Sequence, residues 1–574
     1  MQMILFDDNR KIKNRHIFLI GLLIFCLYCY KSDNGGAVLA DDVPELVFSH
    51  ESGFYDKPFI LTIESKNGTI FYTLDGSVPT AENGYVYDDG ITIQNASQND
   101  NLYCVRNDLS TGFYHELIDQ YSFSSPGYVT PDYLVDKCTV IRAVLAYNDG
   151  TYSDIKTASY FVGLNDEDSL DNMSVVSIVT EPDGLFGYED GIYVTGKRFD
   201  DYCRLKISDP NEWTARYWWH WDANYRITGR ESEREADIQF FDKEKKLLLS
   251  QKCGIRIHGQ GSRGRYPKSF NLYAREEYDG NEDFLYPFFA KDYFVDKMTL
   301  TQGGDDELAK IKDSLMAELS DGLDYGVMDY KPCVMFLDGE YWGVYWLTEK
   351  YDDDYIHQHY NVDSNNVVII KNDLLEEGDE DDFALYTEYV DFCLNSDMTL
   401  DENYYKFCEY VDVDSFCDYY ASMIYLGRNS DWPNSNIALW RTRKKGDDSY
   451  SDGRWRYLAF DVNSNGMDSE LAEVDTIAQA IQSSPMFANL MQNKELRNRL
   501  LDKLVWLSEH NYQYDVIDKK ISFFKSITDK PMMENIHRFY GEGKYYLYEN
   551  EVEDTQCFFK KRGQFISNLV NNYR

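Results

Sequence analysis

The sequence predicts an α+β fold: a β-rich lobe followed by an α-rich lobe, with a small all-β sandwich in front of them. Three patterns carry this expectation. Residues 45–162 alternate apolar and polar residues in short runs bounded by Gly, Asn, Asp and Pro, as in PFILTIES, GTIFYTLDGSVPT and TVIRAVLAYNDG. Strand-like alternation resumes at VVSIVTEPDGLFGYEDGIYVTG and continues through ADIQFFDKEKKLLLSQKCGIRIHG and KSFNLYA. From about residue 385 the pattern turns mostly helical, interrupted by a strand–loop–strand unit at 436–461. Two such lobes in sequence leave room for a cleft between them.

Size and charge narrow the partners. The chain has 574 residues, with Asp+Glu 99 against Lys+Arg 57 and a formal charge of −42. At roughly 150 residues per domain, three or four units are expected. Hydrophobic residues at 43% and aromatics at 16% suffice for a large buried core, so the chain is not disordered throughout. So negative a chain repels phosphates and anionic headgroups, and nucleic acid is not an expected partner.

The N-terminus reads as an export signal. Residues 16–30, HIFLIGLLIFCLYCY, follow Arg10, Lys11, Lys13 and Arg15, and GGAVLA ends at Ala40 as a cleavage point. Residues 1–40 are therefore a signal peptide or an uncleaved anchor. A secreted or cell-surface location follows, with membrane contact only through that segment. Attachment of lipid to Cys26 or Cys29 is disfavoured by the bulky Phe25 and Tyr28. Nine scattered cysteines remain beyond it, which is no disulfide framework; Cys104–Cys138 is the pairing expected if one forms.

Along the chain, the sandwich at 45–162 carries an insertion at 97–136, and an acidic linker at 163–173 precedes a domain at 174–574. Leu308, Ile311, Leu315, Leu319 and Leu323 share one face of a helix expected over 305–323. KPCVMFLDGEYWGVYWLTEK reads as a hairpin turning at Asp338-Gly339. WTARYWWHW at 213–221 holds four tryptophans that suit either stacking on a sugar or base, or packing an insertion onto the core. His357 and His359 form an HxH with no third metal ligand in view.

Three segments can carry chemistry. In IRIHGQGSRGRYPK, Gly259, Gly261 and Gly264 spell GxGxxG after a strand, but Pro267 and another strand follow instead of the helix a dinucleotide fold requires. A glycine loop between strands is how protein kinases cover nucleotide phosphates. Arg256, Ser262, Arg263, Arg265 and Lys268 supply donors there, forming a basic island in an acidic chain. Asp431 and Asn436 in NSDWPNSN are five apart, the spacing of a kinase catalytic base and its metal-binding Asn. Asp461 ends the apolar strand RYLAF, a position suited to holding a metal. The rival there is a calcium loop over Asp461, Asn463, Asn465 and Gly466, which lacks the closing Glu because Ala472 stands in its place.

Together these stretches resemble the CotH family of spore-coat and secreted atypical kinases. GIRIHGQGSRGRYPKSFNLYAR, LTQGGDDELAKIKDSLMAEL, FLDGEYWGVYWLTEKYDDDYI, RNSDWPNSNIALW and RWRYLAFDVNSNG occur in the family's order, and the likeness covers roughly 174–530. The turn YTLDGSVPT and IRAVLAYNDGTYSD resemble the chitobiase/hexosaminidase C-terminal sandwich module, an accessory spacer in its own family. The CotH resemblance implies a reduced kinase-like fold that uses ATP with Mg2+ or Mn2+ to phosphorylate Ser or Thr on protein partners. Carried over by motif, Arg256, Gly259, Gly261, Ser262, Arg263 and Lys268 would face the nucleotide, with Lys268 also catalytic. Glu349 would be a cleft acid, Asp431 the catalytic base or a metal-associated acid, and Asp461 with Asn436 the metal ligands. Two departures stand out: Pro-Lys-Ser where a double lysine is frequent, and Asn463 where a second Asp is frequent. The rival expectation is a non-catalytic adhesion or glycan-binding surface protein, and a glycoside hydrolase is a distant third.

Overall fold

A computed structural model describes residues 46–66, 68–106, 130–208, 218–427, 431–464 and 466–574. The expected export segment with Cys26 and Cys29, most of the insertion at 97–136 and most of the tryptophan-rich stretch lie outside the described residues. No helix among the described residues is long and apolar enough to cross a membrane.

In the N-terminal sandwich a five-stranded sheet runs in the order Gly53–Tyr55, Lys156–Val162, Thr139–Ala146, Thr69–Thr73, Tyr85–Val86. Two short ribbons, Leu46–Phe48 with Ile63–Ser65 and Phe59–Leu61 with Ile91–Ile93, cover one face. Ile141, Ala143 and Leu145 pack with Leu61, Ile63 and Ile93 in that core. The alternate positions are also buried. Val140 and Phe161 belong to the main core of the chain, and Phe161 meets Phe241 and Phe336 edge-on.

The β-rich lobe is a closed seven-stranded barrel. Its strands run in the order Ser174–Thr180, Arg234–Phe241, Leu247–Ile257, Phe270–Tyr273, Lys297–Thr301, Glu340–Thr348, Tyr330–Leu337, and the last pairs in parallel with the first. Closure leaves no open edge to be covered. The predicted hairpin is present, and its turn places both Asp338 (φ 46) and Gly339 (φ 89) in the left-handed region that a two-residue turn needs.

The helix expected over 305–323 is shorter than its apolar pattern suggests, Lys312–Leu319. Asp306 explains the late start: its Oδ2 accepts the N–H groups of Ile311 at 2.6 Å and Lys312 at 2.7 Å, so a side chain satisfies the first helical donors. Residues 303–310 become a loop, with Lys310 left-handed (φ 59).

Beyond the barrel a second sheet runs Gly326–Val327, Arg456–Ala459, Ala438–Thr442, Val367–Lys371, Leu374–Glu377. Helices pack against it. Asp412 caps Val413–Leu426 by accepting from Asp414 and Ser415. At the other end, buried Arg562 from helix Tyr546–Leu569 donates to the carbonyls of Ile424 (2.7 Å), Tyr425 (2.9 Å), Ala472 and Val474. The C-terminal helix thereby secures the segment that leads to Asp431.

Two expectations need correcting. Cys104 and Cys138 are both buried free thiols, as are most of the other cysteines beyond residue 45. Each is held separately: the Cys104 N–H donates to Glu340 and the Cys138 N–H to the Gly339 carbonyl. The acidic segment 163–173 is not a free spacer. Leu164, Leu170 and Met173 are fully buried, and Asp168 and Asp171 pair with Lys530 at 2.9 and 3.1 Å. Its apolar residues reach the barrel core, and its charges find a cation on helix Tyr514–Tyr540.

Candidate functional site

The barrel, the second sheet and the helices meet around the ends of strands Leu247–Ile257 and Arg456–Ala459. One wall is the glycine loop. It leaves the first strand at His258 and turns at Gly259 (φ 98), and residues Gly261–Gly264 form a single 3-10 turn. A Cβ at Gly259 would stand 2.1 Å from Ser262 Oγ, so the loop folds tightly on itself. Trp219, exposed, lies against Gly261, while Trp221 is buried on Phe199 at 4.8 Å.

The cations of the basic island mostly hold this loop in shape. Arg263 donates to the carbonyls of Gly259 (2.6 Å), Tyr225 (3.3 Å) and Ile227 (3.2 Å). Lys268, fully buried, donates to the carbonyls of Arg263 at 2.5 Å and Arg265 at 3.2 Å. Its ammonium also lies 4.1 Å from the ring centres of Tyr225 and Tyr266. Arg256 pairs with buried Glu233 at 2.6 Å. Burial alone would raise the Glu233 pKa, but hydrogen bonds from Arg275, Tyr278 and Arg256 bring it down to about 2. Arg256, Arg263 and Lys268 are thus tied to protein groups.

Two lysines that motif reasoning missed meet ring faces and the charge of Glu376, with no ion pair among the described residues. Lys350 follows Glu349 at the end of the hairpin strand, with Nζ 5.6 Å from the Tyr273 ring centre. Lys371 ends strand Val367–Lys371, with Nζ 4.3 Å from the Phe460 ring centre. Burial lowers the pKa of each. Burial, followed by the charges of Lys350 and Lys371, also brings His258 down to about 3, so its imidazole is neutral. A lysine closing the apolar run VVII was the available sequence signal for Lys371.

The opposite wall is acidic. Asp461 follows strand Arg456–Ala459 in a left-handed conformation (φ 57), and Asn436 shares that conformation (φ 58). Asn436 Nδ2 donates to the Asp461 carbonyl at 3.3 Å. Asp461 is open to solvent at one side yet surrounded by protein. Burial and the nearby charges of Asp305 and Asp431 raise its pKa to about 6, against the opposing effect of Lys371. Burial, then Asp461, pushes Asp313 up to about 7. Asp431 is exposed, on a turn whose carbonyl accepts from Asn434 (3.0 Å) and Ser435 (2.9 Å). The structure places Asp431, Asn436 and Asp461 near one another, with Asp305, Asp313 and Lys371 beside them.

Glu349 sits apart from that group. It is 1% exposed, accepts the Asp329 N–H at 2.8 Å and meets His359 Nε2 at 2.9 Å. His357 is turned to the Val362 carbonyl, so the HxH is not a metal pair. The calcium-loop alternative loses Asn463, whose amide engages Asp305 and Asp313; Asn465 lies outside the described residues. Among the described residues, the grouping of three carboxylates within 4.8 Å is Asp324, Asp412 and Asp414. Asp412 there already caps a helix and pairs with Arg456 at 2.9 Å.

A family model described as CotH kinase protein matches residues 255–566, more than half of the chain. The chain belongs to the CotH kinase family. The CotH span begins inside strand Leu247–Ile257 and includes every candidate residue from Arg256 to Asp461. Strands Ser174–Thr180 and Arg234–Phe241 lie before it, so segments outside the CotH match complete the barrel. A second model, described as Fn3 associated, matches residues 60–160, the body of the N-terminal sandwich. No curated protein matches the chain.

Proposed function

We propose that this cleft binds ATP with a divalent cation and transfers the γ-phosphoryl group to a Ser or Thr hydroxyl of a protein partner. The observation that carries the reading is the approach of two lysines to a cluster of carboxylates. Among the described residues neither Lys350 nor Lys371 has a carboxylate within ion-pair distance; the charge of Glu376 acts on both, and Lys371 also stands in the field of Asp461. Such an arrangement suits a ligand that brings anion and cation together.

The donor set fits Mg2+ or Mn2+. Asp461 and Asn436 offer hard oxygen ligands, and Mg2+ commonly binds through one or two carboxylates plus substrate phosphates. Two raised carboxyl pKa values side by side also favour an added cation. The metal would supply charge neutralisation on phosphate oxygens. Lys350 and Lys371 would bind the phosphates, and the glycine loop would exclude water above them. Asp431, exposed to an incoming partner, would accept the hydroxyl proton as the oxygen attacks. Arg256, Arg263 and Lys268 would act by shaping the loop. Export of the chain is part of the proposal and rests on the basic-then-apolar pattern of residues 10–30.

The test is label transfer from γ-labelled ATP to a protein acceptor with Mg2+ or Mn2+, comparing the wild type with Asp461→Asn. Transfer by the wild type and its loss in the variant are expected; equal labelling, or none, counts against the reading. A second reading, glycan binding at the surface, is favoured by Tyr85, which is 61% exposed on a sandwich edge and 5.6 Å from the Tyr72 ring. Glycan-array binding that survives Asp461→Asn would support it.

A further inference from the structure

A chain of polar contacts joins the glycine loop to the loop that carries Asp461. Arg265, just past the Gly261–Gly264 turn, donates to Glu307 Oε2 at 2.8 Å and pairs with Asp305. The backbone N–H of Asp305 donates to Asn463 Oδ1 at 3.1 Å. Asn463 Nδ2 donates in turn to Asp313, and Asp313 Oδ1 accepts the N–H of Val462 at 2.9 Å. Asn463 is 5% exposed. Gly304 (φ 61) lets the first loop approach, since a Cβ there would stand 3.0 Å from Asn463 Nδ2 and from its Oδ1.

Position 463 has two unlike tasks. It accepts from a backbone N–H on one side and donates to a carboxylate on the other. A carboxylate cannot donate and a hydrocarbon does neither, whereas an amide does both. Asp313 therefore holds the peptide immediately after Asp461, and Arg265 holds the end of the glycine loop. Asn463 is the link between the two.

We propose that Asn463 is a positioning residue that latches the glycine loop to the Asp461 loop, keeping the loop that covers the cleft in register with the residues that would hold the cation. This rests on the phosphoryl-transfer reading of the cleft for its purpose, though not for its geometry. Because the latch ties two walls, order imposed at one is transmitted to the other, and a coupling experiment can detect it.

Amide hydrogen exchange on the full chain, without nucleotide or metal, provides the test. Asn463→Asp removes the amide donor and sets a second carboxyl group against Asp313. The double variant Asp313→Asn/Asn463→Asp exchanges amide and carboxylate, keeps the net charge and can remake all three hydrogen bonds with the central one reversed. Exchange at 259–265 and 461–464 is expected to quicken about tenfold in the single variant and return to within about threefold of wild type in the double. The sandwich strands should exchange alike in all three proteins. A single variant that matches the wild type, or a double variant as fast as the single, overturns the latch. Label transfer by the same proteins separates the two proposals. The expected exchange pattern without any wild-type transfer leaves the latch and removes the kinase reading; wild-type transfer with flat exchange removes the latch alone.

Discussion

The seam between sandwich and barrel and the cleft beside the barrel draw on similar residues and treat their charges in opposite ways. At the seam, Arg142 donates to the Gly76 carbonyl at 2.8 Å and pairs with Asp237 at 3.3 Å. Glu340 accepts from the backbone N–H groups of Tyr103 at 3.0 Å and Cys104 at 2.7 Å, and Glu181 accepts from Val78 at 2.7 Å. Two Leu-Asp-Gly turns meet there: a Cβ on Gly76 would lie 2.9 Å from Asp338 Oδ1. In the cleft, Lys350 and Lys371 have no ion-pair partner among the described residues, and the charge of Asp461 raises the pKa of Asp313. The seam matches its charges inside the protein, whereas the cleft leaves perturbed groups at an opening, the setting that marks a candidate site.

The largest test of this contrast is deletion of residues 41–173. If the seam is structural, the deletion exposes Phe241 and Phe336 and leaves Asp237 without Arg142. The truncated chain is expected to be insoluble or unfolded, and calorimetry of the full chain should show sandwich and barrel melting together. A soluble, cooperatively folded truncation would break the comparison.

Arg142→Ala sharpens it by removing one charge. Leaving Asp237 with the Thr157 hydroxyl but without its Arg142 partner should cost about 3 kcal/mol in urea unfolding. Lys371→Ala is the matching change in the cleft. It strands no buried carboxylate, so stability should hold or rise while label transfer falls about a hundredfold. A stability loss comparable to that of Arg142→Ala would mean that Lys371 is structural after all.

The smallest expected effect is a pH dependence. Asp461 and Asp313 stay protonated in the fold up to about 6 and 7, against an ordinary value of 3.8. A raised folded pKa gives stability that is full below the unfolded value and is lost as pH rises through the folded one. In metal-free buffer the melting temperature should therefore fall between pH 4 and pH 7 through these groups. Asp461→Asn should melt higher than wild type at pH 8 and no higher near pH 4, and added Mg2+ should narrow the gap at pH 8.

Much of the fold was legible because it depends on local pattern. The alternation in TVIRAVLAYNDG, the Asp338-Gly339 turn and the strand–loop–strand at 436–461 all appear where their periodicity and turn residues place them. The helix at Lys312–Leu319 was overextended because apolar spacing is blind to a side chain such as Asp306 that captures the first amides. The site was legible in part. Asp431, Asn436 and Asp461 lie near one another, although spacing linked only the first two and Asp461 was read from its place at a strand end. The basic island was misleading in detail, since a run of cations does not reveal that Lys268 turns inward to carbonyls while Lys350 and Lys371 have no ion pair among the described residues.

By itself, the sequence determined the order of β-sandwich, β-rich lobe and α-rich lobe, the glycine loop, and the acids at 431 and 461, because period, turn chemistry and motif spacing are properties of neighbouring residues. The tertiary structure alone decided that the sandwich is welded to the barrel, that the barrel closes with strands from before the CotH span, and which charges are neutralised. Those outcomes depend on partners distant in the chain, such as Arg142 with Asp237 and Arg265 with Asp305, and no local pattern encodes the distance between them.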